Sequence, residues 1–376
     1  MRNWRFRKHA RHDLLGSRVL ESTSLTPMWR NDIDSASISW LKNHCAGNDV
    51  VFPAAGYISM ACAAACQLDL AHDTHDYTVR DVILRQALVL HDTRREDATT
   101  LRPQSLTTSL DSDWYEFEIC SYDGLSWDKH CSGLVKSGAA GKTSAVKVAR
   151  PSPLPRDVSA SRWYTTLSRV GLNYGPRFTG LKNITASVTE RTAVVDIQDD
   201  PGDGTESSYP LHPTTLDIML QSWTVAAFQR VYGDFVTKFL PTYIRELYVG
   251  DGTGQNIRVK TTTASHSAAA GRERAEGQSF AVGTNNELVL QLKGFQGTPL
   301  PSEDDDADLT ALQLQWKPDF SFLDAAKLTR PTYDFREQIA LAEELYVMCA
   351  LESQQSLLDV QATQPHFEKY RKWMKS

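Results

Sequence analysis

The stretch Trp40-Leu-Lys-Asn-His44-Cys-Ala-Gly47-Asn48-Asp-Val-Val51-Phe52-Pro53-Ala-Ala-Gly56-Tyr57 decides how the rest of the chain is read. His44 stands nine residues before Pro53, with a Gly47-Asn48 turn signal and the apolar run Val50-Val51-Phe52 between them. Beyond Pro53 the residues from Ala54 to Cys66 are small and apolar almost all round. Proline suits the first turn of a helix, where its missing N–H would be an orphan anyway. A helix apolar on every side must be buried. The stretch therefore reads as a loop carrying a His, then a buried helix to about Leu70 whose N-terminus points back at that loop. Such an N-terminus offers unpaired N–H groups and a partial positive charge. A carbonyl polarised there, beside an imidazole, is placed to lose its α-proton. The competing reading is an ordinary turn histidine.

A second stretch has the same plan: Leu211-His212-Pro213-Thr-Thr-Leu216-Asp217-Ile218-Met219-Leu220-Gln221-Ser-Trp223. It is again a Pro followed by a mostly apolar helix, with one acid inside it. Asp217 and Gln221 are four apart and share a helix face. Their apolar neighbours leave Asp217 little water, and a buried carboxylate is costly unless protonated or partnered. Desolvation raises a carboxyl pKa, which suits a general acid near neutral pH. The competing reading is a helix-start acid stabilised by the dipole.

Together these residues resemble the dehydratase domain of fungal highly reducing polyketide synthases. Arg11-His-Asp-Leu-Leu-Gly16-Ser-Arg-Val resembles that family's opening, and Trp29-Arg30-Asn31 and Trp40-Leu41 follow at the familiar places. His44 to Pro53 resembles the family's His-x-x-x-Gly-x-x-x-x-Pro motif, and Tyr174-Gly175-Pro176-Arg177-Phe178-Thr179-Gly180 its Tyr-Gly-Pro-x-Phe-x-Gly motif. Asp217 with Gln221 resembles its Asp-x-x-x-Gln motif, and Leu240-Pro241-Thr242 a later Leu-Pro-Thr segment. One departure stands out. The family's Gly four after the His is Asn48 here, with Gly47 one place earlier. Asparagine is the next most tolerant residue for a left-handed backbone. Tyr243, bulky beside the Leu-Pro-Thr segment, has no reading from sequence.

The resemblance implies an α+β double hotdog, two antiparallel curved sheets each wrapped around a long central helix, plus a helical C-terminal tail. It places an N-terminal hotdog at 12–148 and a C-terminal hotdog at 156–308. Residues 309–376 become a linker and helical tail leading toward a methyltransferase region. It further implies a lyase in polyketide assembly, acting on a β-hydroxyacyl thioester held on the phosphopantetheine of an acyl carrier protein, with no cofactor of its own. In that scheme His44 is the base, Asp217 the acid, and Gln221 orients Asp217. Tyr174 contacts the hydroxyl or is a packed turn aromatic. Gly47, Asn48, Phe52, Pro53, Gly175, Pro176, Phe178 and Trp223 fall to substrate binding, though Phe52, Phe178 and Trp223 read equally as core. The resemblance also implies other synthase domains as partners, a homodimer and a cytoplasmic location. The same His and Asp serve double-bond migration or oxygen-heterocycle formation, and a non-catalytic scaffold is the remaining alternative.

Bulk properties agree with a globular reading. A net charge of −6 and 23% charged residues disfavour a nucleic-acid partner. No apolar run is long enough to span a membrane, and no secretory signal opens the sequence. The cysteines at 45, 62, 66, 120, 131 and 349 are scattered and form no metal-type pair of pairs, so reduced thiols are expected and no metal. The basic residues Arg2, Arg5, Arg7, Lys8 and Arg11 read as a linker strand.

Along the chain, residues 12–40 read as short extended segments. Strands are predicted over 77–90, 99–110, 114–122 and 127–135, with turns at Asp111-Ser-Asp113 and Asp123-Gly124. The Gly-, Ala-, Ser- and Pro-rich 137–155 marks a linker. The second half repeats the plan with a helix over 159–169, a turn at 171–176, strands at 181–188 and 193–197, and the Asp217 helix to about Arg230. Strands then return at 243–249, 257–263, 279–282 and 287–297. His72 to Asp76 reads as a solvated turn, Gly250 to Gly254 as a hairpin turn, and Glu303 to Asp306 as a solvated linker. Asn183-Ile-Thr185 is a glycosylation sequon with no secretory context. In the tail, Leu341, Leu345, Met348 and Leu351 fall at helical spacing.

Overall fold

The helix after Pro53 forms as its composition predicts. In the structure, a computed structural model, it runs Ala54–Leu68 with Ile58, Met60, Ala61 and Ala64 at 1% exposure or less. Burial of Ile58 and Met60 contributes about 1.5–3 kcal/mol each. The described residues are 9–68, 76–90, 95–107, 110–138, 147–198, 206–228, 238–250, 256–267 and 273–300, with 342, 345 and 346. The chain divides into two compact units, Met1–Ala307 and Asp308–Ser376.

The first half of the larger unit holds β1 (Ser17–Arg18), β2 (Met28–Ile33), β3 (His44–Ala46), β4 (Asp49–Val51), α1 (Ala54–Leu68), β5 (Tyr77–Leu84), β6 (Val89–Leu90), β7 (Arg95–Thr107), β8 (Leu110–Tyr122) and β9 (Trp127–Ser137). The second holds β10 (Arg156–Val158), α2 (Ala160–Arg169), β11 (Leu172–Tyr174), β12 (Leu181–Ala186), β13 (Thr192–Ile197), α3 (Pro213–Phe228), β14 (Lys238–Val249), β15 (Ile257–Ser267), β16 (Glu273–Val282) and β17 (Leu288–Leu300). Every described strand pair is antiparallel.

Strands of the first half pair in the order β1-β2-β7-β8-β9-β5, and those of the second as β14-β17-β16-β15-β13-β12-β10. The two sets meet edge to edge where β5 pairs with β14, from Tyr77 opposite Val249 to Ile83 opposite Tyr243. This joins thirteen described strands into one sheet. Edge pairing satisfies a row of backbone groups that either half alone would leave open. Tyr243 contributes to this seam, its hydroxyl donating to Asp81 Oδ1 on β5 at 2.7 Å. Each half is a hotdog, with α1 packed on β5, β7, β8 and β9, and α3 on β12, β13, β15 and β16. The two helices also touch each other, which explains their lack of a polar face.

Three segments depart from the sequence reading. The turn expected at Asp111-Ser-Asp113 lies inside β8, because the chain already reverses between Thr107 and Leu110 and Asp111 pairs with Ser105 on β7. The single strand over 77–90 is divided into β5 and β6, with the register against β9 shifting between Arg80 and Ile83 and Asp81 at φ +49°. Residues 85–88 leave the large sheet so that β6 can pair with β4. The turn over 171–176 contains strand β11, because its backbone finds a partner in β3. The result is a second sheet, β11-β3-β4-β6, that draws strands from both halves.

The expected features at 72–75, 139–146, 251–254 and 303–306 lie outside the described residues, as do Leu341, Met348 and Leu351. In the smaller unit Ala342, Leu345 and Tyr346 are helical, with Tyr346 exposed. No helix among the described residues is long and apolar enough to cross a membrane.

Candidate active site

Strands β3 and β4 form a hairpin closed by Gly47 and Asn48, with Ala46 opposite Asp49. Gly47 takes the left-handed backbone at φ +63°, and Asn48 does not. A positive φ at the first of two loop residues is the pattern of a II′ turn. The expectation that Asn48 would need a left-handed conformation is thus corrected: the glycine one place earlier takes it, at no steric cost. The hairpin tip is anchored in the second half. Gly47 N–H donates to the Gly171 carbonyl at 2.7 Å, and Asn173 Nδ2 donates to the Gly47 carbonyl at 2.8 Å. The same pairing sets Tyr174 opposite His44.

The hairpin also determines which nitrogen of His44 carries hydrogen. Nδ1 lies 2.7 Å from the Val51 carbonyl oxygen. A carbonyl only accepts, so Nδ1 holds the proton and Nε2 of the neutral ring keeps its lone pair. Phe178 and Tyr174 brace the ring, at centroid distances of 5.2 and 5.5 Å. Nε2 faces α3, 4.0 Å from Asp217 Oδ1.

Asp217 is 7% exposed. Burial pushes its carboxyl above the usual carboxylate range, while His44 and then Gln221 pull the other way. Gln221 Nε2 donates to Asp217 Oδ2 at 3.0 Å and to the Phe178 carbonyl at 3.2 Å. Its own orientation is set by a residue the sequence reading did not single out. The Tyr164 hydroxyl on α2 lies 3.2 Å from Gln221 Oε1 and accepts from Leu181 N–H at 3.1 Å. Only an amide with oxygen toward Tyr164 presents its NH₂ to Asp217. Tyr164 and Gln221 are 57 residues apart, so no sequence spacing connects them.

His44 and Asp217 open on a mostly apolar cavity of about 170 Å³. Of the residues assigned from sequence, Phe52, Tyr174, Gln221 and Trp223 line it, as does the Leu240-Pro241-Thr242 segment. Ala54 lines it too, so the start of α1 faces the cavity. The remaining assigned residues lie elsewhere. Gly47 and Asn48 are at the hairpin tip and Pro53 immediately precedes α1. Gly175 is pressed against Asn43, where a Cβ would come within 2.6 Å, and Pro176 begins the short 3-10 turn Pro176–Phe178. Phe178 is fully buried behind His44. These residues flank β3, β4 and β11, the paired strands that place His44, and so occupy scaffold positions. Burial also pushes the Tyr174 phenol well above its ordinary pKa, helped by Asp217 and Tyr164, so it stays a neutral hydroxyl. Among the described residues no three His, Cys, Asp or Glu side chains gather as a metal site would require.

The family described as "Polyketide synthase dehydratase domain" matches residues 12–122, and that described as "Polyketide synthase dehydratase N-terminal domain" matches residues 143–307. The chain belongs to the polyketide synthase dehydratase family. It is 41% identical over 381 residues to squalestatin hexaketide synthase clz14 of Cochliobolus lunatus, covering 100% of this chain and 14% of that protein. It is 39% identical over 379 residues to highly reducing polyketide synthase g433 of a Fusarium species, covering 99% of this chain and 15% of that protein. The dehydratase thus spans about a seventh of the length of these relatives. Its fold is shared with the dehydratase domain of PpsC from Mycobacterium tuberculosis in complex with C12:1-CoA. That match has a TM-score of 0.62 and 23% identity, and covers 77% of this chain and 100% of that one.

Proposed function

We propose that this dehydratase removes water from a β-hydroxyacyl thioester by acid–base chemistry shared between its two halves. His44 Nε2 takes the α-proton. Negative charge develops on the thioester oxygen and is stabilised by N–H groups near the start of α1, a role supported by Ala54 lining the cavity. Asp217, whose pKa burial raises, acts in its acid form and donates its proton to the β-hydroxyl, which leaves as water. An α,β-enoyl thioester remains, with His44 protonated and Asp217 ionised. Proton transfer from imidazolium to carboxylate across the gap restores both groups. Gln221 holds the carboxyl in line, and the neutral Tyr174 hydroxyl is a hydrogen-bond partner for the leaving oxygen.

The observation that carries this reading is the 4.0 Å separation of His44 Nε2 and Asp217 Oδ1 on the wall of an apolar cavity, with His44 Nδ1 already committed to Val51. A base with a free lone pair and a desolvated acid within one substrate's reach is the constellation an elimination needs. The C12:1-CoA of the mycobacterial neighbour supports an acyl group delivered on a pantetheine arm. The much greater length of the relatives supports a carrier protein and further synthase domains as partners.

The test is mass spectrometry of the purified chain with a (3R)-3-hydroxyacyl pantetheine thioester. Loss of water that disappears in His44→Ala is the expected result. An unchanged substrate, or a product of unchanged mass, rules out dehydration and turns the site toward isomerisation or ring closure.

A further inference from the structure

Trp223 lies on α3 six residues beyond Asp217, about 9 Å further along the axis at 1.5 Å per residue. It lines the same cavity and is 2% exposed. Its indole is seated against the sheet by two glycines on neighbouring strands. A Cβ at Gly277 on β16 would fall 2.4 Å from indole Cδ1, and one at Gly297 on β17 would fall 2.9 Å from Cη2. Contacts this short do not occur, so the ring fits only because both positions lack a side chain. Phe295 packs edge-on at 5.5 Å and Phe239 lies tilted at 5.8 Å, so three aromatic rings meet in the cavity wall. Arg85, Gln86 and Ala87, which also line the cavity, are exposed.

The indole nitrogen is buried and has no hydrogen-bond partner among the described residues. An unpaired buried N–H is a cost. A phenylalanine would avoid it, so what tryptophan supplies here is bulk. Bulk in the buried wall of a cavity of about 170 Å³ limits what can extend past the reacting carbons.

We propose that Trp223, wedged on Gly277 and Gly297, is the stop that sets the longest acyl chain this dehydratase accepts, and that the enzyme is selective for short acyl groups. This rests on the reading of the cavity as the acyl site. A stop differs from a merely structural tryptophan in a directional way. Shrinking it lengthens the accepted chain, and pushing it inward shortens the accepted chain.

The test uses the whole chain, its Trp223→Phe variant and its Gly297→Ala variant. Turnover is measured on a homologous series of straight-chain (3R)-3-hydroxyacyl pantetheine thioesters, and binding on the matching saturated acyl pantetheine thioethers. In the parent, kcat/KM and affinity should both fall steeply beyond one chain length. A methylene that does not fit a pocket costs about tenfold or more. Trp223→Phe should move that fall to a longer chain and raise kcat/KM about tenfold for the first length the parent rejects. Gly297→Ala sets a methyl against the six-membered ring in the wall that Gly297 itself lines, takes up space there, and should move the fall to a shorter chain. A length profile identical to the parent in both variants, each shown folded by its circular dichroism, overturns the proposal. If no thioester loses water but thioether binding keeps the length limits, the dehydratase reading fails and the stop stands. Water loss with no shift in either profile has the opposite meaning.

Discussion

His44 Nε2 and Asp217 Oδ1 lie 4.0 Å apart, supplied by opposite halves of the molecule. That distance is too long for a direct hydrogen bond. The pair is therefore free to address a substrate while remaining close enough to exchange a proton afterwards. A general base or acid contributes about 10²–10⁴-fold. Replacing His44 by Ala, or Asp217 by Asn, should each lower kcat by a factor in that range, measured by water loss with the circular dichroism spectrum unchanged. Near-normal turnover in either variant would remove the pair from the mechanism.

The alkaline side of the rate profile belongs to Asp217. Its acid form is required, and burial has raised its pKa, so activity should fall as pH rises through that raised value. Gln221 donates to the carboxylate and so pulls the pKa down. In Gln221→Ala the alkaline limb of kcat should move to higher pH, together with a partial loss at the optimum. A limb that moved down would contradict the assigned hydrogen bond.

Tyr164→Phe keeps the ring and removes the hydroxyl that orients Gln221. The amide is then free to turn, and the bond to Asp217 weakens. The alkaline limb should shift in the same direction as for Gln221→Ala but by less. The hydroxyl also accepts from Leu181 N–H, and each lost hydrogen bond costs about 0.5–1.5 kcal/mol of stability. A variant with that stability loss and an unmoved pH profile would make Tyr164 a packing residue only.

Asp217 also predicts a stability relationship. Between the ordinary carboxyl pKa and its raised folded value, the folded state holds a proton the unfolded chain has released. Stability contributed at this site therefore falls as pH rises through that window. Asp217→Asn has no proton to lose. Its melting temperature, relative to the parent, should rise as pH is raised from the acid side of the window to neutral. A difference that stays flat across pH would mean the carboxyl is not desolvated.

The hairpin offers a test of the shifted glycine. Gly47 sits at φ +63° with nothing within 4 Å of a would-be Cβ, so Gly47→Ala pays only the left-handed backbone cost. That is about 1–2 kcal/mol. Thermal denaturation should show this loss, with reduced turnover because His44 and Val51 belong to the same hairpin. Asn48→Gly, which puts a glycine four residues after His44, should leave activity within twofold of the parent, about 0.4 kcal/mol. A large gain would show that Asn48 distorts the site.

The periodicity of the chain was enough to expose two buried helices, one led by Pro53 and the other by Pro213, and most of the strands. Those features are local: an all-apolar helix or an alternating strand announces its burial wherever it ends up. The motif order was enough to single out His44 and Asp217, because residues of those types are unexpected beside such helices. Their separation, the hydrogen on His44 Nδ1, the orientation of Gln221 by Tyr164, and the seating of Trp223 on Gly277 and Gly297 were decided only in three dimensions. Each depends on strands pairing across the two halves, β11 on β3 and β14 on β5. Spacing along a chain carries no record of contacts made by strands that far apart, and a glycine in sequence does not say whose ring will occupy the space it leaves.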